Sequence, residues 1–152
     1  MFYIRGMHEC DVERIVDFEI NISVISFGEK AITDRDFQRR KILSAKDKSG
    51  MMVISSDNNQ EVFGWLWMEK KKNSLTGETY INFKSFYIAE EMRGNELVDA
   101  LFEKGIEYSK SRGASYIVGK VHAQNLPMRA LYKNHCFLPT HITMELSLEN
   151  YD

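Results

Sequence analysis

The sequence predicts an α/β domain built on a mixed central sheet flanked by helices, with element order βααβββαβαβ. Three observations carry that expectation. Apolar residues recur at three- and four-residue steps over Val12 to Ile25 and again over Leu97 to Ile106, the period of helices that bury one face. Met51 to Ser55 and Glu61 to Lys70 are apolar runs joined through Asp57-Asn58-Asn59, a turn composition that marks an antiparallel hairpin. A long strand, a helix and another strand then follow one another over residues 79 to 121, which implies a right-handed crossover between parallel strands.

Taken in order, Phe2 to Arg5 is a short strand candidate. Val12, Ile15, Val16, Phe18, Ile22 and Ile25 define the first helix, which Phe27-Gly28 ends. Thr33 with Asp36 reads as a capping box and opens a second helix running to Ala45. Its Arg35, Arg39, Arg40 and Lys41 mark a largely exposed element. After the hairpin and the loop Asn73 to Gly77 comes a long strand, Thr79 to Ile88. In the helix Asn95 to Arg112, Leu97, Val98, Leu101, Phe102, Gly105 and Ile106 share one face, and Gly113 stands where a C-terminal cap is wanted. Tyr116 to Val121 is the fifth strand, Leu126 to Asn134 the last helix and His141 to Leu148 the final strand. With no repeat, low-complexity tract or linker, residues 1–152 are expected to form one domain.

Composition narrows the function. A chain of 152 residues buries roughly two-thirds of its unfolded surface on folding. The net charge of −2 argues against a general nucleic-acid binder, which carries a basic surplus. The run Lys70 to Lys72 reads as a solvated hairpin edge. No stretch approaches the ~20 apolar residues of a membrane span, and no signal-like segment opens the chain, so a cytoplasmic protein without a membrane partner is expected. Cys10 and Cys136 have neither metal spacing nor disulfide density and read as reduced thiols. The histidines show no metal-ligand spacing, so no metal is expected.

The chemistry concentrates in two stretches. Phe86-Tyr87-Ile88-Ala89-Glu90-Glu91-Met92-Arg93-Gly94-Asn95-Glu96 is a strand end, an acidic turn and an Arg-Gly that opens a helix. Unpaired N–H groups and the positive end of the peptide dipole make such a helix start an anion site, and the adjacent Arg suggests a phosphate. Asn125-Leu126-Pro127-Met128-Arg129-Ala130-Leu131-Tyr132-Lys133 then follows an apolar strand and leads to Cys136-Phe137. Asn125 is an N-cap candidate with Pro127 in the first turn, and Tyr132 lies two turns further along the same helix.

This order of elements and residues resembles the GNAT superfamily of acyl-CoA-dependent N-acetyltransferases over nearly the whole chain. The resemblance implies acetyl-CoA as cosubstrate, with no metal, and direct attack of a primary amine on the thioester in a ternary complex. It implies that the backbone of Phe86, Tyr87 and Ile88 orients the pantetheine along an edge freed by a bulge. It assigns the pyrophosphate to the turn Arg93, Gly94, Asn95, Glu96, Leu97 and Val98, a further cofactor contact to Asn125, and the general acid for the departing thiolate to Tyr132. The family's turn runs Arg or Gln, two residues, Gly, one residue, Gly or Ala, so Glu96 and Val98 stand where glycines are usual. That departure opens an alternative: a catalytically impaired CoA-binding or interaction module of the same fold. An unrelated nucleotide binder using Arg93-Gly94 is a further reading. Relatives often carry acidic residues just before the Phe-Tyr-Ile segment, whereas this chain has Lys84-Ser85. The amine's base is therefore unassigned, with His122, Glu78 and Tyr80 as candidates. Cys136 replaces a glycine and reads as structural. The acceptor, a small molecule or a peptide amine, is expected between the first two helices and the C-terminal strand, and a homodimer is left open.

Overall fold

The computed structural model describes residues 1–94, 96–149 and 151. Its strands are β1 (Phe2–Gly6), β2 (Met51–Ser56), β3 (Val62–Lys72), β4 (Thr79–Ile88) and β5 (Tyr116–Gly119), and its helices α1 (Val12–Phe27), α2 (Arg35–Leu43), α3 (Glu96–Ser111) and α4 (Leu126–Asn134). The five strands form one sheet in the order β1-β2-β3-β4-β5. The first three pairings are antiparallel, and β4 runs parallel to β5. This is the α/β architecture with a mixed sheet that the apolar periods predict.

Helices cover both faces of the sheet, which is why its central strands read as continuous apolar runs. Trp65 and Trp67 of β3 join Val53 of β2 and Ile15, Val16 and Phe18 of α1 in one core. Leu66 and Met68, one step out of phase, enter the other core with Phe83, Leu101, Phe102 and Tyr132. Successive residues on a strand point to opposite faces, so each central strand feeds both cores. At the entry to α1, Arg5 of β1 makes two hydrogen bonds to the buried Asp11 carboxylate, at 2.7 and 2.9 Å. The His8 N–H donates to the same carboxylate at 2.7 Å.

One irregularity shapes everything downstream. Trp67 pairs with Ser85, but the next residue, Met68, pairs with Phe83, leaving Lys84 as an extra residue on β4. Such a bulge bends its strand and increases local twist. It also shifts the face by one residue. Ile81 and Phe83 before it, and Phe86 and Ile88 after it, all enter the same core. Beyond the bulge β4 leaves β5, since their pairing covers only Tyr80 to Phe83 against Tyr116 to Gly119. The edge of Lys84 to Ile88 on that side has no strand partner among the described residues.

Several boundaries differ from the sequence expectation. Asp34, not Thr33, caps α2: its side chain accepts from the Asp36 N–H at 3.0 Å. The helix closes at Leu43, short of Ala45, and β5 stops at Gly119, short of Val121. The start expected at Asn95 for the third helix falls outside the described residues. The largest correction concerns His141 to Leu148, which forms no strand. Alternating apolar residues become a strand only when a neighbour accepts their backbone and covers one face. Here Ile142 and Met144 stay 84% and 86% exposed. The order among the described residues is therefore βααβββαβα. Lys70 to Lys72 lie at the exposed end of β3, as the basic run suggests.

Candidate active site

Side chains at the end of β4 are committed to packing, which leaves backbone at the opening. Phe86 stacks on Phe102 with ring centroids 4.6 Å apart, and Ile88 is buried beside it in the same core. Tyr87 points the other way, stacking on Phe18 of α1 at 4.9 Å. Its hydroxyl accepts from Asn21 Nδ2 at 3.2 Å. Unpaired N–H and C=O groups along such an edge can bind an extended ligand as an added strand would.

A single 3-10 turn, Glu90–Met92, leads from β4 towards α3, with Met92 buried beneath it. Arg93 follows in extended backbone, and its Nε donates to the Ile88 carbonyl at 3.3 Å. Its guanidinium lies 5.9 Å from the Tyr87 ring centroid. Gly94 has φ +80°, the left-handed region that glycine enters freely, and no atom crowds the place where a Cβ would sit. The two departures from the expected turn then separate. Val98 buries its side chain in the core, while Glu96 is exposed. Asn95 lies outside the described residues. The open turn, the helix start and the unpaired β4 edge together fit a chain-like ligand ending in phosphates.

α4 approaches the split from its far side. Asn125 caps the helix, its Oδ1 accepting from the Met128 N–H at 3.3 Å. Pro127 sits in the first turn, where no N–H is needed. Tyr132 is 6% exposed. It packs on Phe137 at 4.7 Å and meets Phe102 edge-on at 6.1 Å. A Cβ on Gly119 would collide with Cζ and Oη of Tyr132, so the phenol end rests against the last residue of β5, where the sheet divides. Burial pushes this phenol well above its usual range, so it carries its proton at neutral pH and is a donor, not a base.

Of the candidate bases, Tyr80 stacks on Tyr116 at 5.2 Å at the opposite end of β4, and the exposed Glu78 precedes it. His122 Nδ1 accepts from the Gln124 N–H at 3.0 Å, and its ring meets Phe27 edge-on at 5.0 Å; it closes a turn. A carboxylate that the sequence reading passed over does reach β4 from α1. Glu19 of α1 is 2% exposed. Its Oε1 accepts from Ser85 Oγ at 3.0 Å and from Lys41 Nζ at 3.1 Å. The signal was present: Glu19 falls three residues after Val16 and four after Ile15, inside the apolar stripe. No group of three or more His, Cys, Asp or Glu side chains is placed to hold a metal ion among the described residues.

Cys136 has φ +65° just past the end of α4, which explains why a glycine is usual at this position. A non-glycine residue there costs about 1 kcal/mol or more. Cys136→Gly is expected to raise stability by roughly 1 kcal/mol, read as a higher midpoint in urea with an unchanged slope.

The site is thus a mixed sheet that divides between two parallel strands, with a helix start at one lip and a buried tyrosine at the other. The model of the acetyltransferase (GNAT) family matches residues 17–136, and the chain belongs to that family. No curated protein matches the chain. Among solved structures it is similar to a transcriptional regulator from Bacillus halodurans, at 19% identity and TM-score 0.75, covering 97% of this chain and 100% of that one. It is also similar to glucosamine-6-phosphate N-acetyltransferase from Arabidopsis thaliana, at 16% identity and TM-score 0.69, covering 98% and 99%. Ribosomal-protein-alanine N-acetyltransferase from Brucella melitensis resembles it at 14% identity and TM-score 0.71, covering 97% and 100%. At these identities the likeness is one of fold.

Proposed function

We propose that this protein is an acetyl-CoA-dependent N-acetyltransferase that acetylates a primary amine by direct attack in a ternary complex. The observation that carries the reading is the division of the sheet: an unpaired β4 edge faces the end of β5, where Tyr132 Oη lies. Acetyl-CoA, when bound, supplies the activated acetyl thioester. The backbone of Phe86, Tyr87 and Ile88 would hold its pantetheine, and Arg93, Gly94 and the first turn of α3, Glu96 to Val98, its pyrophosphate. Asn125, fixed as the cap of α4, would border the same cleft. Tyr132, protonated at neutral pH, would donate its hydroxyl to the departing sulfur. Related folds carry names that span an amino sugar and a protein, so both small-molecule and peptide amines are in scope. Two free cysteines and the absence of a membrane-crossing helix among the described residues fit a cytoplasmic setting.

The test is calorimetric titration with acetyl-CoA, followed by thiol release against a panel of amines. Micromolar binding with amine-dependent release is expected. Binding without release from any amine would favour a catalytically impaired CoA-binding module. No binding at all would overturn both readings. Arg93→Ala is expected to weaken acetyl-CoA binding by about 1–2 kcal/mol, the worth of one charge-assisted contact. Unchanged affinity would leave Arg93 as no more than the Ile88 carbonyl's partner.

A further inference from the structure

Resting on the transferase reading, we infer that Ser85 receives the N–H of the acceptor amine and that Glu19 fixes the direction of the Ser85 hydroxyl. Ser85 follows the bulge residue Lys84 and opens the part of β4 that leaves β5. It lies beneath α1 and is 9% exposed. A hydroxyl has one proton and two lone pairs. Here the proton is committed to Glu19 at 3.0 Å. Lys41 donates to the same Glu19 oxygen at 3.1 Å, so that oxygen accepts from both partners. Ser85 is left with an oxygen that can accept and cannot donate elsewhere.

That polarity suits a nucleophilic amine. The nitrogen must aim its lone pair at the thioester carbonyl while turning an N–H to some acceptor. A freely rotating hydroxyl would present its own proton to that lone pair and quench it. The hydroxyl tied to Glu19 offers only the productive arrangement. Stability alone does not account for the cluster, because burying a charged carboxylate, even beside a counterion, is typically no better for folding than an apolar residue of similar volume. The surrounding layer is also more polar than folding satisfies. Trp67, the cross-strand partner of Ser85, and nearby Trp65 each bury an indole N–H that has no acceptor among the described residues. The other cation at this point, Lys84, is engaged with Glu69 at 3.7 Å and lies over the Trp67 ring at 4.1 Å.

The experiment compares wild type, Ser85→Ala, Glu19→Gln and the double variant. Steady-state kinetics use an aliphatic amine, an amino sugar and a peptide with a free N-terminus. Calorimetric binding of the same amines is measured with CoA present. Ser85→Ala removes the acceptor. Glu19→Gln keeps the size but lets an amide N–H donate to Ser85, which frees its hydroxyl. Each is expected to lower kcat/KM for the amine by ~10-fold, the scale of one oriented hydrogen bond. KM for acetyl-CoA should move little in each variant and the melting temperature little in Ser85→Ala, and the double variant should be no worse than the poorer single one. Independent multiplication of the two losses would overturn the inference, as would equal amine affinity in wild type and Ser85→Ala, or no amine binding by wild type. Amine binding that is lost in Ser85→Ala, without thiol release by wild type, would support this contact while the transferase reading fails. Ser85→Ala leaves the Glu19–Lys41 pair in place and carries the test alone if Glu19→Gln does not fold.

Discussion

Tyr132→Phe is expected to lower turnover by ~10²-fold while acetyl-CoA affinity stays within about twofold, the pattern of losing a general acid. The ring keeps its contacts with Phe137 and Phe102, so the melting temperature should hold. Only the hydroxyl at the end of β5 is lost. Burial holds the phenol protonated over the whole working range, so the wild type should show no alkaline loss of activity from this residue. Thiol release with a good amine, measured at saturating acetyl-CoA, decides the point. Full turnover in Tyr132→Phe would assign sulfur protonation to solvent or another donor. A collapse of both binding and melting temperature would make Tyr132 a packing residue alone.

The largest expected effect on stability comes from the other end of the sheet. Arg5→Ala strips the partner from a buried carboxylate that accepts its paired hydrogen bonds, and removal of one member of a buried pair costs about 3–5 kcal/mol. Burial alone would push the Asp11 carboxyl up. The Arg5 hydrogen bonds, the His8 N–H and the Arg5 charge outweigh it and hold it below the usual carboxylate range. The sign follows from that depressed value. The pair's contribution is present above the unfolded carboxylate's pKa and is lost as pH falls through the lower folded one. Arg5→Ala should therefore unfold at a higher pH on acid titration, as well as at lower urea. Arg5→Met with Asp11→Leu should recover much of the loss, since replacing both members leaves no stranded charge, and only the His8 N–H loses its acceptor. If the double variant is as unstable as Arg5→Ala, the cost lies in packing and not in the stranded charge.

Much of this molecule was legible in its sequence because its signals are local. The helix of Leu97 to Ile106 and the hairpin of β2 and β3 follow from apolar period and turn chemistry alone. The N-cap at Asn125 follows from one side chain beside a helix start. Tyr132 needed the family pattern, since period marks it only as buried. What was hidden depends on partners distant in sequence. Glu19 becomes informative only when Ser85, on β4, and Lys41, on α2, converge on it. His141 to Leu148 has the alternation of a strand, but no neighbour among the described residues pairs with it. Thr33 and Asp34 offer the same kind of cap, and only the backbone's entry angle selects Asp34.

The bulge at Lys84 leaves a parity mark in the chain. Ile81 and Phe83 are odd, Phe86 and Ile88 even, yet all belong to one core, so the register of apolar residues changes parity once along the strand. Removing Lys84 would restore strict alternation and keep every one of these side chains on its own face. The hydrophobic code of β4 is thus complete without that residue, and the sheet could close as a regular ladder. The opening between β4 and β5 begins at a single supernumerary position, whose side chain serves Glu69 and the Trp67 ring but whose place in the strand the apolar alternation does not need.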